Sequence, residues 1–169
     1  FGLKAAVLRM SCIYGPHQFG TEDQGWVAHF LIRAMRGEPI TIYGDGKQVR
    51  DILHVSDAIA AYRSVLAAID RVRGRAFNLG GGPANAVSLG VVLDEIARHT
   101  GRRAECRREG WRTGDQFYFV ADTRRLTDAV TWRARVGWRE GIADLAAWVN
   151  REIVAADAGA FVRKRRAQA

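Results

Sequence analysis

The sequence has 169 residues, enough for one ordinary domain, and 48% of them are hydrophobic and 26% charged, which excludes a disordered chain. No apolar run approaches the ~20 residues of a membrane-spanning helix, and no apolar leader opens the chain, so we expect no membrane partner. The formal charge of +8 favours acidic ligands such as nucleic acid or phosphorylated small molecules. The basic residues are scattered, however, and form no RNA-binding or helix-turn-helix signature, so nucleic acid is the weaker alternative.

The cysteine and histidine content indicates where the protein works. Cys12 and Cys106 are too few for a disulfide framework and lack the spacing of metal ligands. The four histidines are far apart along the chain and form no metal-binding pattern either. We therefore predict a reducing, cytoplasmic location and no bound metal.

The first predicted elements are a strand, a loop and a helix. Residues 3–9 are almost continuously apolar, which predicts a short strand covered on both faces in a parallel sheet. A polar loop with several glycines follows over residues 14–25. Apolar residues then recur at helical spacing from Trp26 to Met35, and Gly37 ends that helix.

A strand and a second helix are predicted next. Residues 39–43 form a β-branched run that predicts a strand, and the glycines at positions 44 and 46 turn the chain out of it. The helix is predicted from residue 56 or 57 to residue 70, with Ser56 as its N-terminal cap. Its apolar stripe consists of Ile59, Tyr62, Val65, Leu66 and Ile69.

The remaining elements continue the alternation of strands and helices. They are a strand at residues 76–79, a structural turn at 80–82, a helix capped by Ser88, an extended stretch at 117–121, and helices from Asp122 through 130 and over 140–153. The triple glycine at 80–82 is interpreted as a turn because it lacks the glycine spacing of a dinucleotide-binding fingerprint. The alternation predicts an α/β fold.

The first strand raises the question of what covers its apolar faces. An apolar strand with an unpaired edge invites aggregation, so it needs a neighbouring strand and a covering layer. The rest of the sequence offers few parallel partners for it. The sequence therefore looks like the second half of a larger sheet, and a first residue that is Phe1 rather than methionine agrees with a piece of a longer protein.

Two glycine-containing turns carry arginine and aspartate. After the strand at residues 39–43, Arg50 offers a planar fork suited to phosphate oxygens, and Asp51 beside it could orient that fork. A surface hairpin turn with an ion pair is the alternative. The turn at residues 112–115 could hold another phosphate or be purely structural. Cys12 follows the first strand, where α/β folds bind ligands, and is either a ligand contact or a small buried residue.

Taken in order, these segments resemble the C-terminal half of the extended short-chain dehydrogenase/reductase family, the NAD-dependent nucleotide-sugar epimerases and dehydratases. The resemblance covers roughly residues 1–150 and rests on five motifs in the family's order. They are Arg9 with Tyr14-Gly15-Pro16, residues 42–58 (IYGDGKQVRDILHVSDA), residues 77–82 (FNLGGG), residues 112–116 (RTGDQ) and Ala121-Asp122. Within the family, the loop at residues 18–27 and the small residue Cys12 resemble the CDP-paratose 2-epimerases (tyvelose epimerases).

The resemblance implies a division of the chain. Residues 1–16 and 50–82 would form the last parallel strands and a helix of a Rossmann-type sheet. Residues 17–49 and 83–154 would form the smaller α/β substrate-binding region, and residues 155–169 a basic, solvated tail. The implied function is the nucleotide-sugar-binding portion of an NAD-dependent epimerase that inverts C2 through a keto intermediate. A non-catalytic or regulatory nucleotide-sugar-binding partner, or another epimerase or dehydratase of the family, is the alternative.

The resemblance also implies which residues bind the nucleotide. Arg50 and Arg112 would bind the diphosphate of a CDP- or UDP-linked sugar. Asp115 would hold the ribose or orient Arg112. Thr41 and Tyr43, on the strand before the glycine turn, would border the base.

Five more residues would meet the sugar and the cofactor. By the same resemblance, Trp26 and Val27 would close over the nucleotide sugar, and Cys12 would lie beside it. Met10 and Ser11 would lie near the nicotinamide of NAD, chiefly through backbone atoms. No metal is implied.

The family's glycine fingerprint and its Tyr-x-x-x-Lys pair would precede this sequence. Tyr43 and Lys47 have that spacing, but the segment between them is a turn with two glycines. Their side chains are therefore not expected to share one helical face. NAD would therefore be bound mainly by an amino-terminal half that is the expected partner, and this chain alone is predicted to be inactive. The complete protein would be a homo-oligomer.

Overall fold

This computed structural model describes residues 2–154, and the predicted tail at 155–169 lies outside the described residues. The strands are β1 (Val7–Met10), β2 (Cys12–Tyr14), β3 (Ile40–Tyr43), β4 (Val49–His54), β5 (Ala76–Leu79), β6 (Ala86–Ser88), β7 (Cys106–Glu109) and β8 (Tyr118–Phe119). The α-helices are α1 (Trp26–Arg36), α2 (Val55–Ala67), α3 (Ile69–Val72), α4 (Leu89–Thr100), α5 (Arg124–Val130) and α6 (Trp138–Val149). A 3₁₀ turn lies at Pro83–Asn85 and a π-helical segment at Asn150–Val154.

Most strand pairs are parallel, which confirms the predicted α/β class. β1 pairs with β5, β2 with β4, β3 with β7 and β4 with β8, all in parallel, whereas β4 and β6 are antiparallel. In the part of the chain described here, no helix has the length and apolar character needed to cross a membrane.

Strand β4 is the centre of the fold because helices cover both of its faces. Successive side chains of a strand point to opposite faces. Ile52 accordingly packs into a cluster formed with α1, α4 and α6, and Leu53 packs into a second cluster with α2, β5 and α5. Arg50 shares the face of Ile52, so it projects from a rigid strand toward α1.

The first strand differs from the prediction. β1 begins at Val7 rather than at residue 3, and three of its four residues are exposed. Its one strand partner within residues 2–154 is β5, with Val7 opposite Ala76. The prediction of a strand covered on both faces is therefore wrong for this chain, because its sequence is apolar but the described residues supply no second neighbour.

Helix α2 also differs from the prediction, in its cap and its orientation. It begins at Val55, and the ring Nδ1 of His54, not Ser56, accepts the hydrogen bond at its N-terminus, from the Ser56 N–H (3.4 Å). The helix ends at Ala67, and α3 is separate. Of the predicted apolar stripe, Val65 is buried, but Ile59, Tyr62 and Leu66 are 54, 50 and 71% exposed.

Other predicted elements are confirmed by their terminal geometry. Gly37 ends α1 with a left-handed φ of 74° and donates its N–H to Ala34 O (3.1 Å). The Ser88 hydroxyl caps α4 by accepting the Val91 N–H (3.3 Å). Helix α5 begins two residues after the predicted Asp122, which lies before the N-cap Thr123 and accepts the Arg124 N–H (3.1 Å). The last helix begins two residues before the predicted start and ends four before the predicted end.

Candidate functional site

A cleft of about 380 Å³ lies between the start of α1, strand β3 and the turn at residues 112–115. Six of the ten predicted site residues line it: Trp26, Thr41, Tyr43, Arg50, Arg112 and Asp115. The two arginines are 62 positions apart in the sequence. The fold nevertheless brings them to one cavity, because β4 and the turn after β7 both face α1.

Arg50 is fixed at the cleft by an ion pair with Asp115. Its guanidinium lies 2.5 Å from the Asp115 carboxylate and also donates to its neighbour Val49 O (2.8 Å). The Arg50 side chain is only 11% exposed. Asp115 therefore orients Arg50, not Arg112, to which it is joined only by its backbone N–H on Arg112 O (3.1 Å).

Asp51 does not orient Arg50, which corrects the sequence interpretation. The Asp51 carboxylate points the opposite way and is completely buried. It accepts hydrogen bonds from the Ser11 hydroxyl and from the backbone N–H groups of Gly82 (3.0 Å) and Ala121 (3.2 Å). Alternation along β4 explains the difference, because consecutive residues of a strand face opposite sides.

Arg112 is held by three groups on the other wall of the cleft. Its guanidinium stacks 3.9 Å from the centre of the Tyr43 ring, a cation–π contact. It also lies 3.5 Å from a carboxylate oxygen of Glu22 and 3.5 Å from one of Asp23. The Tyr43 hydroxyl in turn donates to Glu22.

A second cavity of about 330 Å³ adjoins the cleft. Met10, Ser11 and Cys12 line it, and Trp26 borders both cavities. The Trp26 indole N–H donates to the Cys12 sulfur (3.5 Å), and burial raises the pKa of the Cys12 thiol, so the thiol is neutral at pH 7. Val27 borders this cavity too, but it is 2% exposed and its side chain belongs to the core.

The cleft carries more acid than the sequence interpretation anticipated. Glu22, Asp23 and Asp115 face Arg50 and Arg112, which gives a formal charge of −1. His29 also lines the cleft, but burial above all lowers its pKa, so its imidazole is neutral at pH 7 and adds no positive charge.

Glu22, Asp23 and Gln48 are cleft residues that received no role from the sequence. Gln48 is buried and donates its amide to Tyr43 O (2.7 Å), which ties the glycine turn to β3. The sequence signal that could have found the acidic pair is its position in the polar loop directly before Trp26. Among the described residues, no group of three or more His, Cys, Asp or Glu side chains could hold a metal ion.

Comparison with known proteins shows which family and which relatives this α/β chain resembles. Residues 1–80 match the NAD dependent epimerase/dehydratase family. Over 155 residues the chain is 37% identical to a CDP-paratose 2-epimerase from Salmonella typhi, a match that covers 89% of this chain and 46% of that protein.

Solved structures share the fold. MoeE5 in complex with UDP-glucuronic acid and NAD is 38% identical, with a TM-score of 0.74 over 88% of this chain and 48% of that one. The UDP-glucose 4-epimerase of Thermus thermophilus in complex with NAD is 30% identical, with a TM-score of 0.78 over 90% of this chain and 48% of that one. The chain thus spans about half the length of the relatives it matches, and its fold is the C-terminal part of a Rossmann-type epimerase.

Proposed function

We propose that this chain is the nucleotide-sugar-binding portion of an NAD-dependent sugar epimerase, with a CDP- or UDP-linked sugar as its ligand. The observation that carries the proposal is that Arg50 and Arg112 line the same cleft. Planar guanidinium groups suit the oxygens of a diphosphate, and each charged hydrogen bond contributes about 1.5–3 kcal/mol. Arg50 is already oriented by Asp115, so little side-chain freedom is lost when it binds a phosphate.

The two cavities divide the ligand into a nucleotide end and a sugar end. In the proposal, Thr41 and Tyr43 border the base in the larger cleft. The sugar extends past Trp26 into the second cavity, toward Cys12. The 37% identity to a CDP-paratose 2-epimerase supports C2 inversion through a keto intermediate as the reaction of the complete protein. This chain contributes placement of the sugar, which limits how the intermediate turns.

We assign only the nicotinamide end of NAD to this chain. Met10 and Ser11 border the second cavity, which adjoins the cleft at Trp26, so a nicotinamide beside them would be next to the sugar. When bound, NAD would accept a hydride from the sugar and return it. Ser11 is held by the buried Asp51, which keeps this wall of the cavity in place. The rest of the cofactor is assigned to the amino-terminal half.

The amino-terminal half is the partner that the exposed apolar surface favours. We define the apolar patch as Val7 and Met10 on β1 with Ile59, Tyr62 and Leu66 on α2, all at least half exposed. The Tyr62 hydroxyl contacts the Met10 sulfur (3.4 Å), so the two elements form one surface. In the proposal, a parallel strand of the missing half pairs with the open edge of β1, and a helix covers α2.

The proposal includes a division of the chain into two parts. The Rossmann-type sheet is assigned to residues 1–16 and 50–82, and the substrate-binding region to residues 17–49 and 83–154. The cleft supports it, because nearly all of its lining comes from residues 22–48 and 89–115. The complete protein is proposed to be a cytoplasmic homo-oligomer, and the free thiols of Cys12 and Cys106 agree with a reducing compartment.

Calorimetric titration of the chain with UDP-glucose and CDP-glucose tests the proposal. Arg50→Ala should weaken binding at least about tenfold, because a charged hydrogen-bonding partner is lost. Arg103→Ala is the matched control, since Arg103 is exposed, pairs with Asp94 (3.1 Å) and does not line the cleft. Thermal melting checks that both variants fold. An unchanged dissociation constant in Arg50→Ala would remove the diphosphate assignment.

A further inference from the structure

The segment before Trp26 forms a compact turn that carries two acids. We call residues 21–24 the acidic turn. The Thr21 N–H donates to Gln24 O (2.8 Å), and the Gln24 N–H donates to the Thr21 hydroxyl (3.3 Å). Gly20 and Gly25 close its base, where a side chain at Gly20 would come within 2.4 Å of Gly25 O. The acidic turn is therefore a self-contained unit on a narrow base.

Glu22 and Asp23 contact the guanidinium of Arg112, the group that binds a phosphate in the proposed function. Glu22 and Asp23 each place a carboxylate oxygen 3.5 Å from Arg112, and Glu22 also accepts from the Tyr43 hydroxyl. A carboxylate and a phosphate offer the same kind of oxygen to a guanidinium fork. Only one of them can be satisfied by the same face of Arg112 at a time.

The charge of the cleft leads to the same conclusion. With both acids in place, three carboxylates outnumber two guanidinium groups, and His29 is neutral because burial lowers its pKa. A doubly charged diphosphate is repelled by a cavity of net negative charge. When Glu22 and Asp23 move away from Arg112, the formal charge of the cleft becomes positive, and the cleft attracts the same ligand.

We propose that the acidic turn is an intramolecular competitor for the ligand's phosphates, which makes Glu22 and Asp23 specificity-determining residues of the cleft. The inference rests on the proposed function. Both carboxylates face the same guanidinium nitrogen of Arg112, so a phosphate oxygen that binds this nitrogen displaces them. A diphosphate can replace two carboxylates, whereas a singly charged ligand cannot, so the acidic turn selects for diphosphates.

The test compares the wild-type chain with Glu22→Gln/Asp23→Asn, using inorganic pyrophosphate and UDP-glucose as probes in calorimetric titrations. The double variant should bind both probes roughly threefold to tenfold more tightly, the size expected for the loss of two partly exposed competing ion pairs. Asp70→Asn/Asp94→Asn is the matched control. It removes the same charge from two acids that pair with Lys4 (2.7 Å) and Arg103 (3.1 Å) and that do not line the cleft. The control should change either affinity less than about twofold.

A second background separates competition from general repulsion. In Arg112→Ala, the Glu22→Gln/Asp23→Asn changes should alter pyrophosphate affinity less than about twofold, because the contested group is gone. Two results would overturn the proposal that the acidic turn competes for Arg112. One is that Glu22→Gln/Asp23→Asn tightens pyrophosphate binding equally with and without Arg112, and the other is that it does not tighten pyrophosphate binding in either background. A chain that binds UDP-glucose no better than pyrophosphate defeats the proposed function instead, and the pyrophosphate comparison still decides the role of the acidic turn.

Discussion

At the scale of single residues, Asp51 joins strand β4 to three other segments of the molecule. It is completely buried, and its carboxylate accepts from Ser11, Gly82 and Ala121, which belong to three different segments. A buried carboxylate with this many donors organises its surroundings, because each donor would lose its partner if the carboxylate were removed.

Asp51→Ala is therefore expected to destabilise the chain by at least about 2 kcal/mol, since it leaves the N–H groups of Gly82 and Ala121 buried without acceptors. Urea unfolding followed by circular dichroism measures the loss. Asp128→Ala is the control, because Asp128 is exposed on α5 and should change the free energy of unfolding by less than about 0.5 kcal/mol. Equal effects of the two substitutions would contradict the role given to Asp51.

The sequence predicted Arg50, Arg112 and Asp115 of the cleft, but not Glu22 and Asp23, and not which acid pairs with which arginine. Arg50 and Arg112 stand in recognisable motifs, and the fold brings both to one cavity. The partners of these arginines could not be read in the same way. Asp115 is 65 positions from Arg50, and Glu22 is 90 positions from Arg112, so both pairs depend on tertiary structure. Asp51 was misassigned to Arg50 because the two are adjacent in sequence while β4 turns them to opposite faces.

At the scale of elements, the short strands were the hardest to predict. β3 has a clear β-branched run, whereas β7 reads CRRE, is exposed throughout, and is extended because it pairs with β3 from Ile40 to Tyr43. β4 was not predicted as a strand, because polar residues stand near its start. The end of α1 at Gly37 and the start of α4 after Ser88 were predicted correctly, because glycine and serine signals at helix ends are local.

Two helical glycines give opposite predictions. A side chain at Gly141 in α6 would come within 2.1 Å of the Tyr14 hydroxyl, which donates to Trp138 O (3.0 Å). At Gly90 in α4 the nearest atom would be 3.6 Å away, at ordinary contact distance. Gly90→Ala should stabilise the chain by up to about 1 kcal/mol through helix propensity.

Gly141→Ala should instead destabilise by about 1–3 kcal/mol, because overpacking against Tyr14 outweighs the gain in propensity. Differential scanning calorimetry measures both variants against the wild type. A higher melting temperature for Gly141→Ala would show that the close packing of α6 on β2 is not required.

At the scale of the whole molecule, the apolar patch on β1 and α2 contains both places where predicted burial differs from the structure. The first strand was expected to be covered and is not, and the stripe of α2 was expected to be buried and is exposed. Under the proposed function, both differences have one cause, which is that a further strand and helix would cover this surface. The chain spans about half the length of the relatives it matches.

Co-expression with the amino-terminal half of the Salmonella typhi CDP-paratose 2-epimerase tests the proposed role of the patch. A complex should form, and Ile59→Glu/Leu66→Glu should abolish it, because both side chains are exposed in this chain and would be buried in the complex. Val91→Glu, an exposed apolar position on α4 outside the patch, should leave the complex intact. Persistence of the complex in the double variant would place the interface elsewhere. The chain alone is expected neither to reduce NAD nor to epimerise a CDP-sugar.

A crystal structure of the chain with UDP-glucose tests directly whether Arg50 and Arg112 bind one diphosphate. The diphosphate should lie in the cleft, with oxygens at about 2.7–3.2 Å from the guanidinium nitrogens of both Arg50 and Arg112. A ligand bound with its diphosphate in contact with neither arginine, or outside this cleft, would contradict it.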